Sequence, residues 1–88
     1  METYWVIQNG PWQFAVQHIG GYEFCWADPE RMPDGKVILH FHSQHEADMT
    51  MMAVRQLRGD LFPACLPEVP RAVQYGLVPG EGYKRRNG

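Results

Sequence analysis

Residues 12–18 set Trp12, Phe14 and Val16 against Gln13, Ala15 and Gln17, a strict alternation of large apolar with small or polar side chains. A period of two sends successive side chains to opposite sides of a strand, so this stretch reads as part of a half-buried sheet. The preceding residues 3–8 are dominated by Thr, Tyr, Trp, Val and Ile, the branched and aromatic types that suit a pleated surface. Asn9-Gly10 marks a turn between the two strands. Because Pro11 has no N–H to donate, a loop slightly longer than two residues that includes Pro11 is expected. With any even-length loop, Trp5 and Ile7 share the face of Phe14 and Val16.

The same face extends along the chain. A three-residue loop over residues 19–21, with its Gly20-Gly21 pair, puts Tyr22, Phe24 and Trp26 beside Phe14 and Val16. A loop one residue shorter would turn those aromatics to the polar side, so the longer form is expected. After a polar loop over residues 28–35, residues 36–42 read as a fourth strand with Val37, Leu39 and Phe41 on the core face. The other face then carries Gln13, Ala15, Gln17, Glu23, Cys25, Ala27, Ile38, His40 and His42.

Ser43-Gln44-His45-Glu46 matches a capping box, in which a serine hydroxyl and a glutamate satisfy the orphan N–H groups of a helix start. The spacing predicts a helix through residue 58, with Ala47, Met51, Val54 and Leu57 facing the sheet and Gly59 ending it. Beyond it, prolines at 63, 67, 70 and 79 punctuate an irregular segment in which residues 67–75 could form a short helix. Leu61, Phe62, Leu66 and Val73 are expected to close one edge of the core. The expected fold is thus α+β: a four-stranded antiparallel sheet in β-β-β-β-α order, one helix on one face, and a proline-rich C-terminal segment. Residues 1–80 form the single domain and residues 81–88 a flexible tail.

At 88 residues the chain has room for one core, which buries roughly 60% of the unfolded surface. A composition 44% hydrophobic and 20% charged is that of a folded globule. A net charge of −2 offers no basic field for nucleic acid, and the one basic cluster is Lys84, Arg85 and Arg86. No apolar run is long enough to span a bilayer, and the N-terminus lacks the pattern of a secretory leader, so a cytoplasmic location is the expectation. Cys25 and Cys65 read as reduced thiols in that setting.

His40 and His42 project from one side of the expected strand and form the sharpest candidate for a metal site, with His45, Cys25 and Glu23 as further ligands. Their spacing matches no familiar zinc motif, and the commoner explanation is that His40 and His42 occupy a half-solvated sheet face while His45 sits in the first helical turn. A Cys25–His40 nucleophile pair lacks an orienting third group and an oxyanion-binding loop, so no enzyme activity and no cofactor are expected. Tyr4, Tyr22 and Tyr75, with Tyr83, combine contact area with a hydrogen-bonding tip and suit a binding surface. The outer helix residues Glu46, Asp48, Met49, Arg55 and Arg58 are the other candidates for partner contact.

In size, in strand-strand-strand-strand-helix order and in the absence of a catalytic motif, the chain resembles the short accessory proteins of phages and mobile elements, including the anti-CRISPR proteins. The resemblance implies a single α+β domain that acts by binding, with a host defence complex as the protein partner, and it transfers no residue. A homodimer through the mildly polar sheet face is a further expectation. Three readings therefore stand: a non-enzymatic protein-binding module, a small metal-binding protein using His40 and His42, and a nucleic-acid-binding accessory protein.

Overall fold

The computed structural model describes residues 2–86. Strands β1 (Thr3–Asn9), β2 (Trp12–Gln17), β3 (Glu23–Ala27) and β4 (Lys36–Ile38) precede helix α1 (Gln44–Leu57) and a 3-10 turn (Gly59–Leu61). Two further strands follow, β5 (Arg71–Val78) and β6 (Gly82–Arg85). All six belong to one antiparallel sheet with the order β3-β2-β1-β5-β6, and β4 pairs with β2 off this path.

The expected four-stranded sheet is therefore two strands short. Residues 71–75 of the segment 67–75, expected to be irregular with a short helix, belong to β5, which pairs with β1 along six residues from Thr3↔Gly76 to Gln8↔Arg71. Its apolar residues satisfy a strand as well as a helix, and only the long-range ladder to β1 decides between them. Part of the expected tail is also inside the fold, because Gly82–Arg85 pair with β5; Asn87 and Gly88 lie outside the described residues.

The β1–β2 connection has two residues, Gly10 and Pro11, between the paired Asn9 and Trp12. This differs from the longer loop expected from Pro11. The turn sits one residue later than Asn-Gly, so proline occupies the loop and owes no ladder hydrogen bond. Gly10 takes φ +54°, the left-handed value required at the first position of such a turn. Between β2 and β3 the register is the expected one, with Phe14↔Trp26 and Val16↔Phe24, and the ladder closes at Gln17↔Glu23. Tyr22 thus leaves the sheet and stands 86% exposed instead of joining the core.

The β1–β2 hairpin is splayed. Only Gln8↔Gln13 and Asn9↔Trp12 pair directly, and the chain from Lys36 to Phe41 enters the gap. β4 pairs with the far end of β2, the Leu39 N–H donates to the Phe14 carbonyl at 3.0 Å, and Phe41 exchanges two 2.8 Å hydrogen bonds with Trp5. The expected strand over residues 36–42 is consequently short. Val37, at its margin, is 52% exposed and lies outside the core.

α1 begins as read from the capping motif, with the Ser43 Oγ accepting from the Glu46 N–H at 3.1 Å. Ala47, Met51 and Val54 meet Ile7, Phe14 and Phe41, flanked by Trp5, Phe24, Trp26, Leu39, Leu61, Phe62 and Ala72. Leu57, expected in this stripe, is 78% exposed; at about 100° per residue it lies beyond Val54 on the side of the helix away from Met51. Phe14 stacks on Phe24 at 5.3 Å and meets the edge of Trp26 at 5.1 Å, a geometry that adds to the area term of burial. The Trp26 indole N–H donates to the Leu61 carbonyl at 2.7 Å, which ties the 3-10 turn to the core. Leu61 and Phe62 close this edge as expected, whereas Val73 is buried on the opposite side of the sheet, across from Val6.

Candidate functional site

Cross-strand pairs identify which side chains share the face turned away from α1. Tyr4↔Tyr75, Val6↔Val73 and Gln8↔Arg71 do so on β1 and β5, Gln8↔Gln13 on β1 and β2, and Tyr75↔Arg85 on β5 and β6. No helix of the described residues lies on this face. Val6 and Val73 are nonetheless buried, beside the larger tyrosine and glutamine side chains of neighbouring pairs. The face therefore has an apolar floor with an aromatic and amide layer over it.

Tyr4 sits at the centre of that layer. Its ring stacks on His40 at 4.0 Å and on Tyr75 at 5.7 Å, and Tyr83 meets it edge-on at 5.0 Å. His40 arrives because the segment wedged between β2 and β1 alternates Leu39 and Phe41 into the core and turns the residue between them outward. The Tyr75 hydroxyl donates to Gln8 Oε1 at 2.7 Å, while Gln13 Nε2 donates to that same oxygen at 3.2 Å and to the Tyr75 hydroxyl at 3.1 Å. Two glutamines and a tyrosine, up to 67 residues apart in sequence, thus lock one another in place.

The layer carries little charge at neutral pH. Burial raises the Tyr4 phenol above its ordinary value, and the neighbouring Tyr75 and Tyr83 hydroxyls add to the effect. Burial also lowers the His40 imidazole, which favours its neutral form. Arg71 and Arg85 flank the uncharged centre. Such a surface offers π-faces, amide groups and cationic edges, which suit recognition of another molecule.

The residues singled out from sequence divide between two sides of the molecule. Tyr4 and Tyr75 come together, while Tyr22 stands apart in the β2–β3 loop. Glu46, Asp48, Met49 and Arg55 lie on α1, on the other side of the sheet, with Arg58 at its end. Arg58 is engaged by Asp60 through two 3.0 Å hydrogen bonds. That contact raises the arginine pKa and holds the Asp60 carboxyl below the usual range. The Arg55 guanidinium lies 5.0 Å above the Phe62 ring. His40 packs one ring face on Tyr4 and is otherwise exposed, as is His42 just before α1. Among the described residues no group of three or more His, Cys, Asp or Glu side chains converges in a way that could hold a metal ion.

Gln8, Gln13 and Arg85 complete the face; nothing in the local sequence marks the two glutamines as binding residues, and Arg85 is legible only as part of the basic cluster at 84–86. A signal for part of the face is present: Val73, Tyr75 and Leu77 alternate, and Pro79-Gly80-Glu81-Gly82 separates them from Tyr83 as a hairpin turn would. No helix of the described residues is long and apolar enough to cross a membrane. No protein-family model matches the chain, no curated protein matches its sequence, and no solved structure matches its fold.

Proposed function

We propose that this protein is a non-enzymatic binding module that engages a protein partner through the uncovered face of its sheet. The observation that carries this reading is the layer of Tyr4, Tyr75, Tyr83 and His40, stacked on one another and pinned by Gln8 and Gln13. Tyrosines held by their neighbours lose little conformational entropy when they meet a partner, which is why such side chains concentrate binding energy. Cys25, the one cysteine on this face, lies on β3, two strands from Tyr4 and the His40 stacked on it, so a Cys25–His40 nucleophile pair has no support. The class resemblance to phage accessory proteins makes a host defence (CRISPR-Cas) protein the first partner to try.

The test is co-purification of tagged protein from a bacterial lysate, in parallel with a His40→Ala/Tyr83→Ser variant of the same melting temperature. Stoichiometric capture of one protein by the wild type, lost in the variant, is the expected result. Equal capture by both would refute the assignment of this face.

A second reading has one observation in its favour. The basic cluster at residues 84–86 is ordered against β5, and Arg85 stands across from Tyr75, so cations adjoin the aromatic layer as in platforms for single-stranded nucleic acid. A gel shift with single-stranded RNA and DNA at two salt concentrations separates the readings, because phosphate contacts weaken steeply with salt.

A further inference from the structure

α1 has an exposed pair of methionines that its own sheet does not use. Ala47, Met51 and Val54 face the core, while Met49 and Met52 are 52% and 57% exposed on the opposite side, beside exposed Ala53 and Gln56. A surface helix of an isolated domain needs one apolar stripe, with polar residues over the rest. Written as a heptad, the outward stripe reads His45 at d, Met49 at a, Met52 at d and Gln56 at a. Asp48 and Arg55 then fall at g, and Glu46 and Ala53 at e.

The charges at g choose the occupant. In an antiparallel helix pair g meets g and e meets e across the seam. If Met49 packs on Met52 of a second copy, and Met52 on its Met49, the register brings Asp48 opposite Arg55 twice, once on each side of the two-fold axis, with the Arg55 guanidinium turning from the Phe62 ring to reach it. The same register sets His45 against Gln56, and Glu46 against the small, uncharged Ala53, so no like charges meet. A parallel pair would place Asp48 against Ala53 and form no ion pair between these residues. We infer that this protein self-associates through α1 as an antiparallel two-fold dimer, with a methionine seam and reciprocal Asp48–Arg55 pairs that set its orientation. Such an interface is isologous, the self-complementary type found in most homodimers. It leaves the tyrosine face of each copy free and does not depend on what that face binds. The helix has only 14 residues, so the interface is at the small end of the specific range and the dissociation constant is expected in the micromolar range.

Sedimentation equilibrium of the full chain from low micromolar to millimolar concentration tests this, with circular dichroism melting of each variant as the check on folding. The wild type is expected to pass from monomer to dimer. Met52→Lys should abolish the dimer, and Asp48→Arg or Arg55→Asp alone should weaken it about tenfold by setting like charges opposite each other at two sites. The double exchange Asp48→Arg/Arg55→Asp should recover most of that loss. A wild type that stays monomeric would overturn the inference. So would a dimer that Met52→Lys or the single exchanges leave unchanged, or a double exchange no tighter than the singles.

Discussion

Replacing Tyr75 by Phe removes one oxygen atom from the tyrosine face and keeps the ring that stacks on Tyr4. The lost hydroxyl donates to Gln8 Oε1 at 2.7 Å and accepts from Gln13 Nε2 at 3.1 Å. Two neutral hydrogen bonds at about 1 kcal/mol net each set an upper value of about 2 kcal/mol. The actual loss is smaller, since Gln13 Nε2 also donates to Gln8 Oε1 at 3.2 Å and neither amide is orphaned. We therefore expect Tyr75→Phe to destabilise the fold by about 1–1.5 kcal/mol, or about 4–10 °C in melting temperature for a domain of this size. Urea unfolding followed by tryptophan fluorescence measures it, and a cycle with Gln8→Leu isolates the coupling, expected at about 1 kcal/mol. A loss below about 0.3 kcal/mol, or strictly additive single effects, would mean that the Gln8–Gln13–Tyr75 contacts do not fix this face.

Burial holds the His40 imidazole below its ordinary value. The folded state therefore binds its proton more weakly than the unfolded chain does. The stabilisation from His40 is complete above the unfolded pKa of about 6.5 and is lost as pH falls through the folded value. Proton NMR should give His40 a midpoint below about 6.5, and His40→Gln should flatten the pH dependence of stability on the acid side of neutrality; an unshifted midpoint would contradict the packing against Tyr4. Asn9 is fully buried, and neither polar atom of its amide has a hydrogen-bond partner among the described residues. Leucine has a similar shape and no polar group to desolvate, so Asn9→Leu is expected to stabilise the fold by about 1 kcal/mol in the same urea assay. A loss of stability would show that the amide has an unrecognised role.

Local chemistry accounts for the parts of the fold that are legible in the sequence. The alternation in residues 12–18, the Gly20-Gly21 loop and the aromatics that follow specify the β2–β3 register, since a slip of one residue would turn Phe24 and Trp26 away from the face of Phe14. Ser43 and Glu46 specify where α1 begins, because the cap bond spans only three residues. Alternation alone also assigns Tyr4 and His40 to the same face of the sheet. By contrast, β1 takes β5 as its neighbour along most of its length, and sequence spacing says nothing about which distant strand a given edge will accept. With β5 unrecognised, Tyr75 and Tyr83 could not be brought to Tyr4, and the glutamine network had no visible partners.

The sequence by itself thus determined the element types up to α1, the shared apolar face and the mildly polar character of the other. Each of these follows from periodicity and turn chemistry within a few residues. Only the tertiary structure decided the splaying of the β1–β2 hairpin, the entry of residues 36–41 between its arms, and the six-stranded order that gathers three tyrosines and a histidine into one layer. Those outcomes depend on which strands compete for the same backbone hydrogen bonds, and that competition is settled by the packing of the whole chain.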